Sequence, residues 1–319
     1  MTNRHENRPA MLQDRRDFLK RAAAAPFAAT AAAAGAPAAT APAEDAMPTV
    51  PLGSARISRL VLGSNTINGG SHLSRFVDFQ MREYFTDDRI LETLQRASAR
   101  GITAWQASGD NHEHWQRFKR AGGAMHFLSL ASAAPSCPFT PEEAARMGFL
   151  GLAHHGEVTD QLFKAGRLDE AREYLKRVRD AGLCTGLSTH MPAVVERVEE
   201  QGWDIDFYMT CIYERHRSRE ELARLLGRVP IPVGEVYLEE DPPRMFEAIR
   251  ATRKTCLAFK ILAAGRLCQS AAQVAQAFER AFRGIKPSDA VIVGIFPRWS
   301  DQIAEDADLV KKHGRAEAR

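Results

Sequence analysis

The chain has 319 residues, with 43 Lys and Arg against 40 Asp and Glu, a formal net charge of +3. So slight an excess, with no Lys/Arg block beyond the N-terminal segment, excludes the electrostatic footprint of a nucleic-acid binder. The five cysteines, Cys137, Cys184, Cys211, Cys256 and Cys268, include no C-x-x-C pair, and an odd number leaves at least one free thiol. Cys184, Cys211 and Cys256 fall in apolar runs, where cysteine serves as a small buried hydrophobe.

At the N-terminus, Asp14-Arg15-Arg16-Asp17-Phe18-Leu19-Lys20 precedes an uncharged, Ala-rich run over 22–43. That order resembles a twin-arginine export signal, an address read by the Tat translocase, which moves proteins already folded. The run has nearly the length of a membrane span, but Ala is weakly apolar, and Pro26, Pro37 and Pro42 break a long helix. Ala41-Pro42-Ala43 fits the small-residue cleavage pattern, which predicts cleavage before Glu44. The expected product is an exported, periplasmic chain over 44–319 with no stable membrane span.

Past Pro51, strand and helix signals alternate. A short apolar run predicts a strand over 59–64, and Thr86-Asp87-Asp88 caps a helix that Gly101 stops. Strand 102–107, helix 114–120 and strand 125–130 follow. Thr140-Pro141-Glu142-Glu143 then opens a helix, with a cap, a first-turn Pro and first-turn acids. Strand 149–153, helix 168–181, strand 185–188, helix 192–201 and strand 207–212 come next. Residues 214–241 read as an insertion, helical over 218–226 and extended over 233–238. Pro242-Pro243 opens the following helix, and strand 257–262, helix 270–283, strand 290–295 and helix 300–312 complete the chain. Parallel strands need such crossovers, and eight strand–helix units in this length predict a closed (β/α)₈ barrel. An open doubly wound sheet is the alternative, but no G-x-G-x-x-G follows the first strand.

In such a barrel the site lies at the C-terminal strand ends. Those ends supply Asn65, Gln106, Asp110, Asn111, His154, His155, His190, Tyr213, Lys260 and Arg298. Glu235 comes from the insertion. So many hydrogen-bonding groups predict a pocket for a polar small molecule. Lys260 stands in an otherwise apolar run, where a buried ammonium needs an anionic partner or a lowered pKa. The outward-facing alternative, a stem lying between helices, is also open. His154-His155-Gly156-Glu157 and His190 have metal-binding chemistry. Adjacent strand residues point to opposite faces, however, so the pocket is read as metal-free.

Several segments resemble the aldo-keto reductases, over roughly residues 50–310. Pro51-Leu52-Gly53-Ser54 through Ser58-Arg59-Leu60-Val61-Leu62-Gly63 is similar to that family's opening hairpin and first strand. Gly101-Ile102-Thr103-Ala104-Trp105-Gln106 resembles its second strand, and Leu152-Ala153-His154 the strand bearing its catalytic His. Gly186-Leu187-Ser188-Thr189 resembles the segment that holds the nicotinamide amide, and Ala258-Phe259-Lys260 the one with a ring-stacking aromatic. Ile292-Val293-Gly294 and Ser300-Asp301-Gln302-Ile303-Ala304-Glu305 resemble the closing nucleotide-binding stretch. The resemblance implies a (β/α)₈ barrel that binds NADP(H), with Ser188, Thr189, Phe259 and Arg298 toward the cofactor. Of the family's Asp, Tyr, Lys and His, only His154 carries over. Gln106, Asn111 and Ser129 stand at or near the other three positions, and Thr189 and Asp306 replace residues that are normally Asn.

The leading expectation is an exported barrel enzyme acting on a polar small molecule, a sugar or keto-sugar, with non-standard acid/base residues. His154 is its acid/base, Lys260 an electrophile or anion anchor, and Tyr213 and Gln106 position the substrate. Asn65, Asp110, Asn111, His155, His190 and Glu235 line the pocket. An NADP(H) oxidoreductase with a rewired proton donor and a non-catalytic periplasmic binding protein are the alternatives.

Overall fold

Gly53, with φ of +57°, turns the chain between β1 (Thr49–Leu52) and β2 (Ala55–Ser58), which pair antiparallel. A Cβ at Gly53 would collide with Cys184 Sγ, so the hairpin can seat only with glycine there. Its Val50, Leu52 and Ile57 close the N-terminal end of a barrel, packing with Val61, Ala104, Leu128, Phe207, Leu257 and Ala290 from the lumen. The computed structural model describes residues 45–134 and 137–315; the export signal expected over 1–43 lies outside the described residues.

The barrel has eight parallel strands: β3 (Leu60–Gly63), β4 (Ala104–Ala107), β5 (His126–Ala131), β6 (Gly151–His154), β7 (Cys184–Thr189), β8 (Phe207–Cys211), β9 (Thr255–Phe259) and β10 (Ala290–Gly294). They follow one another in chain order, and β10 closes on β3 through Val291↔Leu60 to Gly294↔Gly63. The helices are α1 (Arg75–Tyr84), α2 (Asp87–Ala99), α3 (His112–Arg120), α4 (Pro141–Met147), α5 (Gly156–Lys164), α6 (Asp169–Asp180), α7 (Pro192–Glu200), α8 (Arg219–Leu226), α9 (Asp241–Ala251), α10 (Ala271–Gly284) and α11 (Gln302–His313). This is a (β/α)₈, or TIM, barrel. No helix among the described residues is long and apolar enough to cross a membrane.

Strand alternation divides the side chains. Val61, Ala104, Leu128, Ala153, Met209 and Leu257 fill the lumen. Leu62, Trp105, Phe127, Leu152, Leu187 and Tyr208 face the helix layer. There Trp105, Phe127, Trp115 and Phe149 make a contiguous aromatic group, with the Phe127 and Phe149 ring centroids 4.6 Å apart. The caps read from sequence act as expected. Thr140 and Glu143 form a reciprocal capping box, and Thr86 accepts from the third helical residue; Ser270 caps α10 in the same way, a cap the sequence pattern does not single out.

The differences lie near the barrel mouth. Residues 233–238 contain a short 3₁₀ turn, Val233–Glu235, and no strand. The strand expected over 257–262 ends at Phe259, because Lys260 adopts φ of +60° and leaves the ladder. Helices α1 and α5 fill stretches in which the sequence pattern gave no helix.

Candidate functional site

The strand ends bring two linked polar groups together at the C-terminal mouth. The first surrounds Lys260. Its left-handed backbone turns it out of β9, and burial pushes its pKa down to about 8, with Arg215 adding to the effect. Glu235 anchors this group. Its carboxylate accepts from His72 Nδ1 (3.0 Å), Arg215 Nη2 (2.7 Å) and the Tyr237 hydroxyl (3.0 Å). Burial alone would raise Glu235, but Arg215 and the His72 hydrogen bond outweigh it and hold the carboxyl below its usual range. Burial and the nearby Lys260 charge lower the His72 pKa from its ordinary value, against the opposing pull of Glu235. With Nδ1–H donated to Glu235, its Nε2 is left to accept from Asn65 Nδ2 at 3.3 Å. Arg266 donates to the His72 carbonyl and stacks its guanidinium 4.3 Å from the Tyr237 ring centroid. Lys260, Arg215 and Arg266 thus face a single carboxylate, Glu235, and the group carries a positive surplus.

The second group is Asp160, His190 and His216. Helix α5 supplies Asp160, and the helix reaches β7 because its first residue is Gly156. A Cβ there would lie 2.8 Å from Ser188 Oγ and 3.3 Å from His190 Cε1. Asp160 Oδ1 accepts from Thr189 Oγ1 at 2.5 Å, and Oδ2 accepts from the His190 backbone N–H (3.1 Å) and from Nδ1–H (2.8 Å). His216 Nε2 lies 3.4 Å from the same Oδ2 and 3.2 Å from His190 Nδ1. Lys164, at the end of α5, donates to the His216 carbonyl and ties that loop down. Burial raises Asp160 to about 6 and lowers His190 to about 3, with Arg215 and Lys260 reinforcing the latter. At neutral pH His190 is therefore an uncharged imidazole. Beside it, His155 has a buried Nδ1 with no hydrogen-bond partner among the described residues.

The remaining expected residues divide by strand parity. Gln106 shares the lumen face of β4 with Ala104, and Ser188 that of β7 with Gly186. Phe259, on the lumen face of β9, sets its ring edge-on to His190, with centroids 5.5 Å apart. His154 takes the opposite face, which corrects the acid/base role expected of it. Its Nδ1 lies 2.7 Å from Thr159 Oγ1, and its ring packs against Tyr174 of α6. Thr159 donates its only proton to the His155 carbonyl, so His154 Nδ1 carries the hydrogen of the shared bond. Burial lowers His154 to about 4. Tyr213 sets its ring edge-on to Tyr237, with centroids 5.1 Å apart, and its hydroxyl accepts from Arg280 of α10 at 2.8 Å. Asn111 is buried, donating to Asn68 and Ser108, and Asp110 is exposed on the turn before it. Asp160 and His72 were not read from the sequence as site residues.

The set that resembles a nicotinamide-binding cradle does not fit the cofactor. Thr189 is committed to Asp160, and Arg298 lies over Trp299 and points to Glu83 and the Gln80 carbonyl of α1. Of the four, Ser188 and Phe259 remain on the lumen face.

No protein-family profile matches the chain, and no curated protein matches it in sequence. Among solved structures, the apo form of Gox0644 superposes with a TM-score of 0.50 at 12% identity, over 86% of this chain and 96% of that one. A glycerol dehydrogenase from Gluconobacter oxydans gives 0.49 at 14% identity, over 85% and 96%. A truncated 3-deoxy-D-arabino-heptulosonate 7-phosphate synthase from Thermotoga maritima gives 0.46 at 11%, over 84% and 90%. At such identities the likeness to Gox0644 establishes a shared barrel and leaves the chemistry to the residues at the mouth.

Proposed function

We propose that this chain is an enzyme that processes a polar, anionic small molecule at the C-terminal mouth of its barrel, with a sugar acid or keto-sugar derivative as the substrate class. The observation that carries this reading is Lys260, a desolvated lysine held on a left-handed backbone beside Arg215 and Glu235. A lysine poised near pH 8 holds an anionic or carbonyl oxygen as the ammonium and accepts a proton as the amine. Arg215 and Arg266 supply the remaining positive field, and Gln106 and Ser188 offer neutral hydrogen-bonding groups from the lumen. The role first expected of His154 passes to Lys260. The N-terminal Arg15-Arg16 motif supports export of the folded protein by the Tat translocase, with delivery to the periplasm.

A ligand screen tests the reading. Sugar acids, keto acids and sugar phosphates are titrated into wild type and Lys260→Met, with thermal stabilisation and turnover as readouts. A ligand that stabilises and is turned over by wild type, and is neither bound nor turned over by Lys260→Met, is the expected result. Binding and turnover that survive in Lys260→Met refute the reading.

A further inference from the structure

Asp160, His190 and His216 converge in a way that the substrate reading above does not require. Asp160 Oδ2, His190 Nδ1 and His216 Nε2 are separated by 2.8, 3.2 and 3.4 Å, so the three atoms outline a small triangle. Tetrahedral Zn²⁺ with bonds of about 2.0–2.1 Å sets its ligand atoms roughly 3.3 Å apart. The triangle therefore matches one face of such a tetrahedron, with the Asp160–His190 edge shortened because a proton bridges it. We propose that these three side chains form a binding site for one Zn²⁺ ion, with the fourth position open.

The surroundings are those of a metal site. All three donors are of the right kind, two imidazoles and a carboxylate. The second Asp160 oxygen is fixed by Thr189 Oγ1, and the carboxylate also accepts the His190 backbone N–H. Such outer hydrogen bonds orient ligating carboxylates. The side chains of Asp160 and His190 are 1% and 9% exposed, whereas that of His216 is 22% exposed. The triangle is thus walled on two sides and reached from the His216 side. Arg215 and Lys260 both act on His190; Arg215 is ion-paired with Glu235 at 2.7 Å, so Asp160 is the ligand that supplies negative charge to the ion. The orphaned Nδ1 of His155 adds a buried lone polar atom in the same region, the kind that a metal-bound water satisfies. Zn²⁺ binding would displace the bridging proton and place a Lewis-acidic centre in the mouth. The site stands on its own geometry, whether or not Lys260 is catalytic.

The test reads metal directly. The full chain is stripped with a chelator and dialysed against Zn²⁺, and bound metal is counted by atomic emission. The same protein is titrated with Co²⁺, whose visible absorption is intense when the site is tetrahedral. One Zn²⁺ per chain and a tetrahedral Co²⁺ spectrum are expected for wild type and for His114→Ala, which alters a histidine on α3. In His190→Ala and His216→Gln both should be lost, with affinity lower by more than about 100-fold, since even outer-shell changes cost 10–100-fold. His216 lies on the loop after β8, so its variant keeps the test open if His190→Ala fails to fold. Wild type without stoichiometric Zn²⁺, an octahedral Co²⁺ spectrum, or unchanged binding in His216→Gln would overturn the proposal.

Discussion

Replacing Lys260 with Met should make the protein more stable at neutral pH while removing its function. Burial lowers the Lys260 pKa from an ordinary 10.5 to about 8. At about 1.4 kcal/mol per pKa unit, holding the charged lysine in the fold costs about 3 kcal/mol. Met keeps most of the aliphatic stem and the same left-handed backbone, so packing and φ strain largely cancel in the comparison. The pH dependence carries the sign. Below about pH 8 the lysine is protonated in both folded and unfolded chains, and the full cost applies. From about 8 to 10.5 the folded chain has lost the proton that the unfolded chain retains, so wild-type stability climbs toward that of the variant. Above 10.5 both are neutral and the difference vanishes. Urea unfolding of both proteins at pH 7, 9 and about 10.5 measures this directly. A variant that is less stable at pH 7, or a difference that does not shrink with pH, refutes the desolvated lysine. The cost is then absent, and Lys260 is a solvated or fully paired residue with no reason to mark a site.

Gly156→Ala should push α5 away from β7, because its Cβ would meet Ser188 Oγ at 2.8 Å. A loss of about 1–3 kcal/mol in urea unfolding, together with weaker Zn²⁺ retention, is expected from such overpacking; unchanged values would show that α5 is not seated by that contact. NADPH oxidation with aldehydes and keto-sugars should stay near background, since a missing general acid typically forfeits about 10²–10⁴-fold. Robust NADPH turnover that His154→Ala abolishes would overturn both that expectation and the outward orientation of His154. Lys in place of both Arg15 and Arg16 should leave the folded precursor in the cytoplasm, and cell fractionation that still finds it in the periplasm counts against Tat export.

The barrel was legible because its strands are short apolar runs and its helices carry strong caps, such as Thr140 with Glu143. The site was only partly legible, for three physical reasons. Strand parity is unforgiving: a single-residue step puts Ala153 in the lumen and His154 among the helices, and no composition signal marks which is which. Helix α1 escapes hydrophobic periodicity because Phe76 and Phe79 are exposed on it and Met81 is its one buried residue. Helix α5 escapes for the opposite reason. Its buried positions are Gly156, Thr159 and Asp160, so the face it turns inward is small and polar. A pattern search for apolar stripes passes over such a helix, and with it Asp160. Yet burying a carboxylate is costly unless donors meet it, and here Thr189, His190 and His216 converge on that one group. The stretch least visible to hydrophobic pattern is therefore the one whose burial depends most on its polar partners, and it is on that cluster that the proposed Zn²⁺ site rests.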